Sequence, residues 1–297
     1  MEPVSIVIPV YKEEEAIGQT IDELNQVLKR EKREYEILIV DDGSPDRTAE
    51  ISASREKVRV VKHPFNRGVG IARNTGIRNA KYDLIMMMDG DYTYPAQAIP
   101  EILKKMEAYD QIVGARSTDF GNFILLRNII KWFLRRLASY VSGAKIPDLN
   151  SGMRAFRKRD VMKFFPILPP GHSWVSTITL AYFCNEYTVG YSPIEYRSRI
   201  GSSTFHPVKD TKNYFGLIFK TVFYFRPLRF LLPLGLVVFL WGATRLVYQG
   251  KVLGLSVRTT DIMLVLGGII IWTLGFLADL IVRQTSFQYQ KNPEKTE

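Results

Sequence analysis

The chain has 297 residues, 46% of them hydrophobic and 24% charged, so it is too apolar to be disordered and long enough for one or two domains. The formal net charge of +10 is compatible with nucleic acid, an anionic membrane surface or a phosphorylated substrate, and it does not choose among them. The single cysteine, Cys184, excludes an intrachain disulfide, and three scattered histidines give no zinc-site spacing. We expect a reducing compartment and no signal peptide before the first strand.

The first 115 residues alternate apolar strand-like runs with helix-like segments. Strands are predicted at residues 4–10, 36–40, 58–61, 84–88 and 111–115. Helices are predicted from the spacing of Ile17, Ile21, Leu24 and Leu28, and at residues 68–80 and 95–108. Ser44 is expected to cap another helix, with Pro45 at its first position. This alternation predicts an α/β, Rossmann-like fold with a mostly parallel sheet flanked by helices.

Acidic residues follow two of the predicted strands. Asp41 and Asp42 come directly after the second strand, and Asp89 and Asp91 flank Gly90 after the fourth. Because parallel strands end at the same edge of a sheet, both clusters can converge on one ligand there. Paired carboxylates suit Mg²⁺ or Mn²⁺ carrying a phosphorylated substrate, whereas an isolated Asp-Gly pair is also a common solvated turn.

Two further segments carry basic residues. Residues 119–142 are apolar around most of a helix, with Arg127, Lys131 and Arg135 recurring every four residues, which predicts a helix at a membrane interface. The alternative is a core helix with one solvated face. The loop at residues 195–203 is basic and contains glycine, so it is able to hold phosphate oxygens.

The C-terminal part predicts a membrane hairpin. Residues 230–247 and 262–282 are each apolar and long enough to cross a hydrocarbon core of about 30 Å. The alternative is a pair of buried helices in a soluble domain. Lys and Arg residues outside the two spans outnumber Lys251 and Arg258 between them, which predicts that both termini are cytoplasmic. The predicted parts are a catalytic domain at 1–206, an interfacial segment at 207–229, the spans within 230–283 and a cytoplasmic tail at 284–297.

Four motifs in this order resemble those of family 2 glycosyltransferases with the GT-A fold. They are the segments at residues 4–11, 40–44, 89–91 and 150–152. With the C-terminal hairpin and the arginine-rich loop near Gly201, the chain is most similar to polyprenyl-phosphate glycosyltransferases, the group that includes dolichyl-phosphate mannose synthase and its undecaprenyl-phosphate relatives.

The resemblance implies roles for individual residues. The donor would be bound by Pro9, Tyr11, Glu13, Asp41, Asp42, Asp89, Gly90, Asp91, Arg197 and Arg199. Within this set Asp89 and Asp91 would hold the metal ion and, with Arg199, act in catalysis. The acceptor phosphate would be bound by Arg116, Arg127, Lys131 and Ser203.

The sequence also departs from the family pattern. Thr204 replaces the usual lysine of the closing loop, and Lys131 replaces a serine of the acceptor site. The Gln-x-x-Arg-Trp motif of processive synthases is absent, which favours a single transfer over polymerisation.

These features predict an inverting transfer of a sugar from a nucleotide-sugar donor to undecaprenyl or dolichyl phosphate at the cytoplasmic face of the bilayer. A lipid phosphate is largely anionic at neutral pH and needs no strong general base, in keeping with the absence of histidine from the motifs. The first alternative is transfer to a hydroxyl of a lipid-linked saccharide or glycolipid, with Asp148 as base. The second is a non-enzymatic basic module that binds anionic lipid or nucleic acid. We expect no nucleic-acid partner, and the sequence is compatible with a homo-oligomer.

Overall fold

A computed structural model describes residues 1–116, 136, 139, 146–200, 227–249 and 258–291, with side chains of the last helix to residue 282. The chain divides into two compact units, Met1–Ile218 and Phe219–Glu297. The predicted interfacial segment at 207–229 and the predicted helix at 119–142 lie almost wholly outside the described residues.

The first unit is built on a seven-stranded sheet. Its strands are β1 (Val4–Val10), β2 (Tyr35–Asp41), β3 (Val58–Lys62), β4 (Leu84–Met87), β5 (Gln111–Arg116), β6 (Arg154–Arg157) and β7 (Val189–Ile194). Their order in the sheet is β3-β2-β1-β4-β6-β5-β7. Among the strands of the described residues, only β6 runs antiparallel to its neighbours, β4 and β5, so the predicted mostly parallel sheet is confirmed.

Helices connect these strands. They are α1 (Ile17–Arg30), α2 (Thr48–Ala53), α3 (Val69–Asn79), α4 (Ile99–Lys105), α5 (Lys158–Met162) and α6 (Trp174–Cys184). Every residue of β1 is buried, as its continuous apolar run predicts for a central strand covered on both faces. The four apolar residues that predicted α1 are all fully or almost fully buried, which confirms the helical spacing.

Helix α3 approaches the sheet closely, although its sequence has little amphipathic contrast. A Cβ atom on Gly76 would lie 2.3 Å from Cγ1 of Val7, so only glycine allows this separation. Small residues therefore replace the apolar stripe that usually packs a helix onto a sheet.

The predicted cap at Ser44 is wrong. Helix α2 begins only at Thr48 and has no side-chain cap. The Ser44 hydroxyl accepts instead a hydrogen bond of 3.0 Å from the backbone N–H of Lys12, which has a left-handed φ of 59°. The turn after β1 exposes that N–H, and a hydroxyl at the end of the neighbouring strand satisfies it.

The second unit is a helical hairpin of α7 (Pro227–Val247) and α8 (Thr259–Lys291). Both helices are long and apolar enough to cross a membrane, and only 11% of each apolar window is buried, unlike core helices of a soluble protein. Trp272 Nε1 on α8 donates a 2.9 Å hydrogen bond to the carbonyl oxygen of Leu232 on α7. Arg245 Nε lies 3.0 Å from Asp261 Oδ1. Helix α8 extends past the predicted end at residue 282.

Candidate active site

The acidic clusters lie at one edge of the sheet, as the sequence predicts. Strands β1, β2 and β4 run parallel, with Val10 opposite Asp41 and Val7 opposite Met87. Each strand therefore ends at the same edge, and Asp89 and Asp91 leave it from the turn after β4. The charges of Asp89 and Asp91 both act on Glu13, which follows β1, so these three carboxylates form one group.

Asp91 is held firmly in this group. Its Oδ1 accepts hydrogen bonds from the hydroxyl of Thr93 at 2.5 Å and from the Thr93 backbone N–H at 3.2 Å. Its Oδ2 lies 3.3 Å from Nη1 of Arg199. Burial, and next the charge of Asp89, raise the pKa of the Asp91 carboxyl above its ordinary value. An added cation would relieve this repulsion.

Asp89 has different partners, Arg73 and Gly152. Nη2 of Arg73, on α3, donates a 3.1 Å hydrogen bond to Asp89 Oδ1. A Cβ on Gly152 would lie only 2.4 Å from Asp89 Oδ2, so the carboxylate rests directly against the backbone that precedes β6. Gly152 of the Asn150-Ser151-Gly152 motif thus packs against an aspartate predicted to bind the metal ion.

The carboxylate ligands available at this edge fit a divalent cation that is also coordinated by a substrate. Within the described ranges, no group of three or more Asp, Glu, His or Cys side chains could hold a metal ion by itself. Two carboxylates leave most positions of a Mg²⁺ or Mn²⁺ ion to phosphate oxygens and water, which is the usual arrangement for a cation that carries a diphosphate. Asp89 and Asp91 would hold it.

Arg199 is a second cation in contact with this acidic group, besides Arg73. It pairs with both Glu13 and Asp91. Burial raises the pKa of Glu13 to about 7, with the Arg199 charge opposing this and the charges of Asp91 and Asp89 adding to it. A guanidinium paired with two carboxylates is well placed to exchange one of them for a diphosphate oxygen.

The side chain of Arg197, to which the family resemblance gives a donor role together with Arg199, pairs with a carboxylate outside the acidic group. Its Nη1 and Nη2 bind the two carboxylate oxygens of Glu23 on α1 at 2.8 and 2.9 Å. The structure therefore brings Arg199, and not Arg197, to the predicted metal site.

The two aspartates at the end of β2, Asp41 as its last residue and Asp42 directly after it, form intramolecular contacts. Asp42 accepts hydrogen bonds from the backbone N–H groups of Arg67 at 3.0 Å and Gly68 at 2.8 Å, and His63 Nδ1 lies 2.7 Å from its Oδ1. Asp41 Oδ1 accepts the N–H of Ser44 at 3.1 Å. Both carboxylates are buried, so they shape the loops beside the site, and nucleoside contact by them stays a prediction. Pro9 lies within β1 and Tyr11 directly after it.

Arg116, predicted for the acceptor, ends β5 and forms an ion pair with Asp148. The distances are 2.7 Å from Nε to Oδ2 and 3.0 Å from Nη2 to Oδ1. Burial alone would raise the pKa of Asp148, but the hydrogen bonds and charge of Arg116 lower it below the ordinary value. The guanidinium also lies 5.3 Å from the ring centre of Tyr196. The other predicted acceptor residues, Arg127, Lys131 and Ser203, lie outside the described residues.

Two buried arginines, Arg73 and Arg154, are not among the site residues predicted from the sequence. Arg73 pairs with Asp89 and lies 5.7 Å from the ring centre of Trp174. Arg154 is fully buried, and its Nη1 donates to the carbonyl oxygen of Val175 at 2.9 Å and to Thr179 Oγ1 at 3.0 Å. Burial, with the charge of Arg73, lowers the pKa of Arg154 to about 10. For Arg73 a signal existed, because it shares the helical spacing of the buried positions 70 and 77.

The mostly parallel sheet, its acidic edge and the apolar hairpin define a glycosyltransferase domain of the GT-A class with a membrane anchor. Residues 5–165 match the family model for glycosyl transferase family 2, and residues 226–283 match the GtrB C-terminal hairpin. The chain belongs to glycosyltransferase family 2.

A solved structure and two curated relatives agree with this assignment. Glucosyl-3-phosphoglycerate synthase of Mycobacterium tuberculosis, in complex with Mn²⁺, uridine-diphosphate-glucose and phosphoglyceric acid, superimposes with a TM-score of 0.59 at 15% identity, over 74% of this chain and 80% of that one. This likeness confirms the predicted fold.

The dodecaprenyl-phosphate galacturonate synthase of Rhizobium johnstonii is 27% identical over 94% of this chain and 87% of its own. The undecaprenyl-phosphate 4-deoxy-4-formamido-L-arabinose transferase of Photorhabdus laumondii is 29% identical over 54% of this chain, which spans about half (51%) of that relative's length. The predicted similarity to polyprenyl-phosphate glycosyltransferases is therefore confirmed.

Proposed function

We propose that the protein transfers a sugar from a nucleotide-sugar donor to a polyprenyl phosphate at a membrane surface. The observation that carries this choice of acceptor is the ion pair of Arg116 with Asp148 at the end of β5. The two relatives, whose names specify dodecaprenyl and undecaprenyl phosphate, support the same class of acceptor.

The ion pair bears on the acceptor because the two candidate acceptors need different chemistry. A sugar hydroxyl requires a general base, and Asp148 was the candidate. Both oxygens of Asp148 are bound by the Arg116 guanidinium, and its pKa is lowered, so it accepts a proton poorly. A phosphate monoester with a second pKa of about 6 is already a nucleophilic anion, and arginine is suited to binding it.

The acidic edge of the sheet supports a role in binding the diphosphate of the nucleotide-sugar donor. When bound, Mg²⁺ or Mn²⁺ supplies positive charge that stabilises the departing nucleoside diphosphate. Asp89 and Asp91 hold that ion, and Arg199 binds the diphosphate from the side of Glu13. An acceptor phosphate oxygen forms the new bond to the anomeric carbon while the bond to the diphosphate breaks. A single displacement of this kind inverts the sugar carbon, and no proton has to move.

The hairpin supports a place at the membrane. Helices α7 and α8 would anchor the catalytic domain of residues 1–206 through the segment at 207–229, with the tail after residue 283 on the same side. The excess of Lys and Arg outside the spans supports cytoplasmic termini and a cytoplasmic active site.

The test of this function is direct. Purified full-length protein is incubated with a panel of nucleotide sugars and with undecaprenyl or dolichyl phosphate, and the lipid product is identified by its mass. A glycosylated lipid phosphate is expected with one donor of the panel. A product formed only when the acceptor is a glycolipid or a lipid-linked saccharide would refute the proposal.

Asp148→Asn separates the two acceptor classes. If Asp148 were the base for a hydroxyl, turnover would fall by roughly 10²- to 10⁴-fold. With a phosphate acceptor, the loss should instead appear mainly in the apparent KM for the lipid. Asp83→Asn, which removes a carboxylate paired with Arg157 and Arg159, is the matched control.

A further inference from the structure

The segment after β7, residues 195–200, lies against the turn that carries the metal-site aspartates. The backbone N–H of Arg197 donates to the carbonyl oxygen of Thr93 at 2.9 Å, and that of Ile200 donates to the carbonyl oxygen of Asp91 at 3.4 Å. The position of this segment is therefore coupled to the turn after β4.

The side chain of Arg197 fastens the same segment to α1. It forms the two-point ion pair with Glu23, whose side chain is 11% exposed, and Nη2 also lies 3.2 Å from Gln97 Oε1. Its guanidinium lies 4.9 Å from the ring centre of Tyr92. A bidentate pair with a mostly buried carboxylate is stronger than an exposed pair of surface charges.

Arg199 follows two residues later and carries the guanidinium that reaches the carboxylates. One of its partners, Glu13, precedes α1 in the chain, and Glu23, the partner of Arg197, lies within α1. Helix α1 thus fixes the segment through the pair of Glu23 with Arg197, while Glu13, which precedes the helix, pairs with Arg199. Movement of the segment away from α1 would carry Arg199 away from Asp91.

We propose that Glu23 is a positioning residue for the transfer reaction, because its ion pair with Arg197 keeps residues 195–200 in place and so holds Arg199 at the site of the donor diphosphate. This inference rests on the proposed function in one respect, namely that the donor diphosphate is the ligand of Arg199. Within the described residues, Glu23 itself contacts neither Arg199 nor the three carboxylates of Glu13, Asp89 and Asp91.

The inference is tested with Glu23→Gln in the full-length protein. Hydrogen exchange of the peptide that contains residues 195–200 reports whether the segment loosens, and steady-state kinetics report the KM for each substrate. Glu56→Gln is the matched control. Glu56 pairs at 2.6 Å with Lys29 on α1, but both side chains are more than half exposed.

We expect Glu23→Gln to accelerate exchange in this peptide and to raise the donor KM by about tenfold, with the acceptor KM and the thermal midpoint close to wild type. The double variant Glu23→Gln with Arg197→Gln should lose no more than the stronger single variant, because both act through one ion pair. Glu56→Gln should change neither readout.

Unchanged exchange in the peptide would overturn the inference, and so would an equal rise in donor and acceptor KM. Additive losses in the double variant would overturn it as well. Failure of the proposed function would be seen separately, as the absence of any glycosylated lipid phosphate with wild-type protein. In that case the exchange readout, together with titration of a nucleoside diphosphate and Mn²⁺, still decides the role of Glu23.

Discussion

Arg116 and Asp148 form a two-point ion pair although 32 positions separate them in the chain. The pair occupies the end of β5, with the guanidinium over the ring of Tyr196. Each residue limits what the other can do, because Asp148 is held as an anion and Arg116 is oriented by it. The predicted acceptor site therefore has to be tested through both residues.

Replacement of Arg116 tests the acceptor phosphate. We expect Arg116→Ala to raise the apparent KM for the lipid or to lower turnover by about tenfold or more, with nucleotide-sugar affinity near wild type. Arg116→Lys should also be impaired, because lysine lacks the two parallel donors. The same result is predicted for Arg127. Arg159→Ala, an exposed arginine, serves as the control. Equal losses for donor and acceptor would move Arg116 to the diphosphate site.

The ion pair also predicts how stability depends on pH. Arg116 depresses the pKa of Asp148 in the folded protein, so this contribution to stability is complete above the ordinary aspartate value and is lost as pH falls through the lowered one. The thermal midpoint of Asp148→Asn should therefore lie furthest below wild type at neutral pH. The midpoints of wild type and variant should converge as the pH falls below about 4. A difference that grows towards acid would contradict this assignment.

Asp91→Asn tests the predicted metal site. We expect turnover to fall by at least about a hundredfold, because loss of a carboxylate ligand weakens the charge stabilisation of the leaving diphosphate, commonly worth about 3 kcal/mol. The fold should be unchanged, as judged by circular dichroism. Asp22→Asn removes an exposed carboxylate of α1 and should have little effect. Wild-type turnover that persists in excess chelator would refute a divalent cation at Asp89 and Asp91.

Truncation after about residue 225 tests the division into two units. The sheet and its helices are complete before α7, so the remaining domain should fold and bind the nucleotide-sugar donor. Titration of the donor into the truncated and intact proteins measures this. If the truncated protein binds no nucleotide sugar that the intact protein binds, the hairpin is part of the donor site.

Local patterns in the sequence were sufficient for much of the fold. The apolar run of β1, the helical spacing of α1 and the carboxylates after β4 each lie within a few residues, so their meaning does not depend on distant partners. The two spans are apparent from their length and apolarity. These features also predicted the acidic edge, because parallel strands must end together.

Such local patterns did not predict two of the strands, β6 and β7. In β6, the side chain of Arg154 is buried and donates a hydrogen bond to the carbonyl oxygen of Val175 on α6, which lies 21 positions further along the chain. In β7, Pro193 interrupts the strand signal, and it is tolerated because β7 is the edge strand. A buried arginine and a proline both look unfavourable in a strand until their surroundings are known.

The sequence by itself determined the class of fold, the acidic edge and the hairpin, because each is encoded by neighbouring residues. Only the tertiary structure decided which charges pair. Arg197 and Arg199 are chemically identical and two positions apart, yet one binds Glu23 at a separation of 174 residues and the other Glu13 at 186. The physical reason is that an ion pair depends on the distance and burial of its partners, and these are set by the contacts of α1 and of the turns after β1 and β4 with the segment after β7.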